Sequence, residues 1–317
     1  MNQQFQQYFN QIESNYAIIA EVSKKLNESH PTEEGLFSTI GEKLGNFIRA
    51  IDELIHKGIT GIVNIFRNTT VVLEDAHTTY KTVSPYIKRL NKYREKLNDK
   101  LKKLTTPELA DIAVKKVPVP MGLKIDILTY INKLEAVKNA VLEIDSLQDQ
   151  LEKRLDEMLN NPIEDFPKYL PASYELKAMS KTVMKYENTF KDMYGKRMTD
   201  TRTIGSLVKK IPLVPGMVND ILTLGKIYNM EKLEDIDKRN EELVAKAKKL
   251  LDIVKKEDEA LLQQYLGVLG DYFKLYAEYI TVVGISNIAY SQLADIMYNI
   301  VKVIVDGKIA GKAHTAI

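Results

Sequence analysis

The chain has 317 residues, no cysteine, and 45 lysines and arginines against 43 aspartates and glutamates, for a net charge of +2. That length can build one large or two ordinary domains without a covalent staple, and the missing thiols exclude disulfides, cysteine nucleophiles, iron–sulfur clusters and cysteine-ligated zinc. Near-neutral total charge argues against nucleic acid as a partner of the whole surface, so charge is informative only locally.

Apolar residues recur at spacings of three and four along almost the entire chain, while two-residue alternation is scarce, which predicts an all-α protein. The opening, "MNQQFQQYFNQIESNY", has neither the basic nor the apolar region of an export signal, so none is expected. Its stripe of Phe5, Phe9, Ile12, Tyr16, Ile19, Val22 and Leu26 predicts a first amphipathic helix that ends in "NESHPTEEG". From Phe37, the positions Ile40, Leu44, Phe47, Ile48, Ile51, Leu54 and Ile55 draw a second apolar face opposite Glu42, Lys43, Arg49, Asp52 and Glu53, with Gly58 and Gly61 as points of break or bend. Ser84 followed by Pro85 has the form of an N-cap and first-turn pair, so a new helix is expected there. Thr106 and Pro107 repeat the signal for a short helix.

The phrase "KKVPVPMGLKIDILTY" at 115–130 then recurs as "KKIPLVPGMVNDILTL" at 209–224, with eight of sixteen positions identical where average residue usage predicts about one. Pro118 and Pro120, and again Pro212 and Pro215, remove backbone donors and bias the preceding residues away from helix. With Gly122 and Gly216 they predict an elbow before a long helix in each copy, the first to about 160 and the second towards 256. The chain therefore reads as an elongated multi-helix bundle with a tandem duplication of helix, short helix, proline elbow and long helix. Its expected organisation is N-terminal amphipathic helices at 1–70, repeats at 71–161 and 162–256, and a C-terminal helical pair with a short tail at 257–317, turning at Gly284 and Ser286. The stretch from Tyr279 to Val305 is the nearest approach to the roughly 20 apolar residues of a membrane span, but it carries Asp295 and several amides and is expected to be a buried helix.

No catalytic, cofactor-binding or metal-ligating set emerges. His30, His56, His77 and His314 are far apart in sequence, none belongs to a metal-binding helical pair, and no phosphate loop or nucleophile elbow occurs. Carboxylates such as those of "LEDIDKRNEEL" are expected to be solvated partners of lysine and arginine one turn away. The most lopsided charge is Lys88, Arg89, Lys92, Arg94, Lys96, Lys100, Lys102 and Lys103 against Glu95 and Asp99. This is a candidate patch for an anionic partner, nucleic acid or membrane, with Tyr86 and Tyr93 available to stack or to sit among headgroups. A solvated face answered by the acidic N-terminal segment is the favoured reading. Lys115 with Lys116, and Lys209 with Lys210, suit the negative end of a short helix, and Asp126 and Asp220 the positive end of a long one. Residues 35–66 form a wide apolar face with a polar side of no net charge, which favours packing within a protein over insertion into lipid.

The leader ending in "HPTEE", the amphipathic "GLFSTIGEKL" that follows and the Lys-, Asn-, Ile- and Tyr-rich helices beyond resemble internal or accessory virion proteins of large tailed bacteriophages. The resemblance covers mainly residues 28–66 and implies a non-enzymatic structural protein of the virion, present in the host cytoplasm during assembly. It also implies a processing point near Glu34, no cofactor, and other proteins or further copies of itself as partners. In length and long helices the chain is also similar to elongated α-helical pore-forming toxins, which would imply a membrane-active protein instead. A cellular scaffold or adaptor is the third alternative.

Overall fold

Sixteen consecutive residues, 276 to 291, are buried on every side of one helix, and the rest of the fold is the means of covering it. The computed structural model describes residues 3–28, 42–120, 123, 126–190, 199–254 and 259–307. In chain order these form α1 (Gln3–Glu28), α2 (Glu42–Lys103), α3 (Thr106–Val114), β1 (Lys116–Pro120), α4 (Ile127–Asn160), α5 (Ser173–Phe190), β2 (Thr199–Thr203), α6 (Ile204–Leu207), α7 (Val214–Leu224), α8 (Met230–Val254) and α9 (Glu259–Asp306). Among the described residues the protein is all-α apart from one two-stranded ribbon, in which β1 and β2 pair antiparallel with Pro118 opposite Thr201.

The central helix is α9. A helix that is apolar all round must be enclosed by others, and α1, α2, α4, α5, α7 and β1 all pack on it. Its main partner, α2, has 62 residues and at 1.5 Å per residue extends about 93 Å. The two run parallel with a nearly constant sequence offset: Gly284 faces Val72, Tyr298 stacks on Tyr86, and Tyr93 donates a hydrogen bond to Asp306 at 2.8 Å. Helix α1 lies antiparallel against both. Its Ile19 sits between two glycines, Gly61 of α2 and Gly270 of α9, where an added Cβ would lie 2.8 and 2.7 Å from the isoleucine side chain. Helix α4 also packs on α9, and α8 runs beside α4 and contacts α2.

Several sequence expectations are corrected by this packing. Gly284 and Ser286 do not mark a turn, because α9 passes straight through both. The glycine lets α2 come close, since a Cβ there would meet Val72 at 3.0 Å, and the Ser286 hydroxyl bonds back to the Val283 carbonyl at 2.7 Å. Ser84 and Pro85 do not start a helix either: Pro85 lies inside α2, where packing along α9 overrides the local signal. Gly61 neither breaks nor bends the chain into separate helices but forms half of the Ile19 socket. As a result α2 crosses position 70 without interruption.

The twin phrases take different structures. In the first, Pro118 and Pro120 are strand residues and Asp126 caps α4 by accepting from the Thr129 amide at 2.9 Å. In the second, Pro212 lies in a 3-10 turn, Ile211–Leu213, while Pro215 and Gly216 are in the first turn of α7 rather than in an elbow. A proline is tolerated there because that turn has no amide to give to the helix. The expected long helix from 216 towards 256 is divided: α7 stops at Leu224, α8 begins at Met230, and Asp220 lies in the second half of α7 rather than at its start. Gly122 lies outside the described residues.

Candidate functional site

Some polar side chains inside the bundle join helices, while Thr281, Ser286 and Asn287 bond back within α9. Gln148 of α4 donates to the Ile236 carbonyl of α8 at 3.0 Å and faces the Tyr276 hydroxyl at 3.4 Å. Asn240 of α8 donates to the Thr69 hydroxyl of α2 at 3.0 Å, and Tyr276 donates to Asn240 at 3.5 Å. Each of these groups would cost free energy if left unpaired, so together they penalise a slipped register. Buried tyrosines act in the same way. Tyr228 donates to the Leu134 carbonyl of α4 at 2.8 Å and Tyr290 to the Ile221 carbonyl of α7 at 3.2 Å, their rings stacked with centroids 5.4 Å apart. Burial pushes the pKa of both tyrosines up.

Outside the core, ion pairs link α4 to α8. Arg239 binds Asp149, and Lys246 bridges Glu152 and Asp156 at 2.8 Å each. These carboxylates, with Lys153 and Glu157, line a shallow groove on α4. Because its acids already have cationic partners, the groove is not a cation site, and no cluster of three potential metal ligands occurs among the described residues. Of the carboxylates of "LEDIDKRNEEL", Glu234, Asp235, Glu241 and Glu242 are solvated as expected, whereas Asp237 is not. Arg239 reaches across to α4, and half-buried Asp237 faces His77 of α2 at 3.6 Å, its pKa raised mainly by burial. His30 and His314 lie outside the described residues, and His56 is exposed.

The C-terminal half of α2 is organised differently. Leu90 and Leu97 are buried, whereas Lys88, Arg89, Lys92, Arg94, Lys96, Lys100, Lys102 and Lys103 are all exposed. None of the eight is in an ion pair among the described residues. Among the described residues, α1 does not reach them, for it meets α2 between Ile19 at Gly61 and Tyr8 at Asp75. Tyr86 and Tyr93 are not free platforms. Tyr298 stacks on the first at 4.9 Å and meets the edge of the second at 6.2 Å, and Arg89 bonds the Tyr298 hydroxyl.

Comparison with family models, curated proteins and solved structures finds no match. The functional reading therefore rests on the chain itself.

The remaining sequence candidates are local. Lys115 caps the C-terminus of α3 and pairs with Asp111 at 3.4 Å, as the dipole argument expects. Lys116 is an exposed residue of β1. Lys209 lies 3.9 Å from Asp126 and is well exposed, and Lys210 precedes the 3-10 turn. Glu34 lies outside the described residues. Sequence reasoning missed Gln148, Asn240 and Glu278. A signal for the first two was present: Ile144, Gln148, Leu151 and Ile236, Asn240, Leu243 keep the three-and-four spacing only if the amides occupy core positions.

Proposed function

We propose that the chain is a non-enzymatic structural protein of an assembly, a component of a tailed-phage virion, and that it acts by packing helices against further copies or other proteins. The observation that carries this reading is the enclosed α9, with its buried polar neighbours assigned to holding helices in register. Such an interior specifies shape. Apolar side chains left outside offer points of contact: Leu142 of α4 and Met184 of α5 are 54% and 57% exposed. They belong to neighbouring antiparallel helices, since Lys133 reaches the Thr189 carbonyl and Arg154 reaches Glu175. Exposed leucine and methionine become useful when a second surface covers them. Native mass spectrometry of the purified chain, and of complexes recovered with it, tests the reading. It predicts species of fixed stoichiometry that Leu142→Glu with Met184→Glu removes, and a chain that stays monomeric and joins no complex refutes it.

One observation favours a second reading, a membrane-active protein. Residues Gly267–Asp306 of α9 are long and apolar enough to cross a membrane, so opening the bundle would release a span. The first reading remains the better supported, because 78% of the most apolar window is buried by the protein itself. Leakage from dye-loaded anionic liposomes would support the second reading, and inert liposomes the first.

A further inference from the structure

We propose that the basic face of α2 docks the phosphate backbone of double-stranded nucleic acid. At 3.6 residues per turn, Lys88, Arg89, Lys92, Lys96, Lys100 and Lys103 fall within about 120° of arc, opposite buried Leu90 and Leu97. Lys88, Lys92, Lys96 and Lys100 form a ladder with one lysine per turn. Like charges at this spacing repel and destabilise a helix, and although Arg89 bonds Tyr298 and Lys96 lies 5.9 Å from the Tyr93 ring centroid, Lys88 and Lys92 have no such intramolecular contact among the described residues. The helix dipole accounts for the three lysines of the last turn, Lys100, Lys102 and Lys103, but its influence fades within that turn and does not reach Lys88, Arg89, Lys92 or Lys96. Some lysines elsewhere do find carboxylates across helices, as Lys232, Lys246 and Lys274 do.

The spacing of charge selects the partner. From Lys88 to Lys103 the helix rises about 22 Å. The six cations of this face, with Asp99 projecting among them, leave one net positive charge per roughly 4.5 Å, the same order as the one phosphate per 3.4 Å of each strand of a duplex. A membrane-binding helix would need apolar residues beside its cations, yet the exposed residues from Lys88 to Lys103 are all polar or charged. Single-stranded nucleic acid is bound by stacking on free aromatics, and Tyr86 and Tyr93 are already engaged by Tyr298. What remains is contact with phosphates that does not depend on base sequence. Of the four ladder lysines, Lys96 lies 5.9 Å from the Tyr93 ring centroid and is the least free to bind. The inference stands on α2 alone and holds whether or not the chain assembles.

The test is fluorescence anisotropy of a labelled random-sequence DNA duplex titrated with the full chain at several salt concentrations. Engagement of about five phosphates predicts a slope of log K against log salt near −4 to −5. The fourfold variant Lys88→Gln, Lys92→Gln, Lys96→Gln, Lys100→Gln should flatten the slope by about 3 and weaken binding at least about a hundredfold at 0.1 M salt. A control with the same net charge, Lys177→Gln, Lys181→Gln, Lys248→Gln, Lys249→Gln, removes exposed lysines of α5 and α8 and should bind as the parent does. Absence of duplex binding at low salt overturns the proposal. So does an equal loss in the control, or tighter binding to a single-stranded oligonucleotide or to phosphatidylserine vesicles.

Discussion

Glu278 is a carboxylate in the wrong solvent, and its titration should be felt by the whole bundle. It lies on α9 with 6% of its surface exposed. One turn away Lys274 approaches to 3.6 Å, itself bound to Glu13 of α1 at 2.8 Å. Burial outweighs the lysine, and Glu13 and Glu187 add repulsion, so the Glu278 pKa is pushed up to about 7 from an ordinary 4.5. The folded chain therefore binds more protons than the unfolded chain between those two values. The stabilisation is complete below pH 4.5 and is lost as pH rises through 7. Each tenfold difference in proton affinity is about 1.4 kcal/mol, so the loss amounts to about 3 kcal/mol. Urea unfolding of the parent and of Glu278→Gln at pH 5 and pH 8 isolates this group, because all other titrations are common to both. The glutamine variant should be close to the parent at pH 5 and more stable than it at pH 8 by about 2 to 3 kcal/mol. If the difference between the two is the same at both pH values, Glu278 is not the buried acid described above.

Three further outcomes follow from the packing. Gly270→Ala puts a Cβ 2.7 Å from the branched Ile19 side chain and should cost about 1 to 3 kcal/mol, read as a lower melting temperature and faster proteolytic release of α1. Pro85→Ala restores an amide to the exposed side of α2 and should stabilise by up to about 3 kcal/mol, checked by thermal unfolding; a destabilised variant would mean that the proline is required there. Asp126→Ala removes the acceptor for the Thr129 amide and should cost about 0.5 to 2 kcal/mol, whereas Asp126→Asn, which keeps a capping oxygen, should cost less.

The helical class and the buried faces were readable because they depend on spacing, and spacing survives folding. The stripe of Leu128, Ile131, Leu134, Val137, Val141, Ile144, Leu151, Leu155 and Met158 predicts the core face of α4, and all are buried except Leu128 in the first turn, which is 43% exposed. Punctuation was less dependable. Pro85 and Gly284 are local stop signals, but the helices that carry them, α2 and α9, share a long interface whose summed burial exceeds the local cost. The twin phrases mislead for a related reason. "DILT" opens α4 at 126–129 and closes α7 at 220–223, so identical residues serve different ends of helices according to what they pack against. The basic run on α2 was legible as composition, and the structure added that it is uncovered and that its tyrosines are occupied. The β1–β2 ribbon was not legible, since Pro118 and Pro120 argue against a strand in any but an edge position, and a two-stranded ribbon consists only of edges.

The account depends most on α9 being a permanent core, so the decisive measurement is hydrogen exchange over residues 276–291 with and without anionic vesicles. Amides in an enclosed central helix open only with the whole fold. They should be the slowest to exchange in the chain, at a rate that vesicles leave unchanged. Faster exchange in solution than in α1 or α5, or a change in α9 exchange on adding vesicles, would contradict the structural role and leave α9 as a stored membrane span.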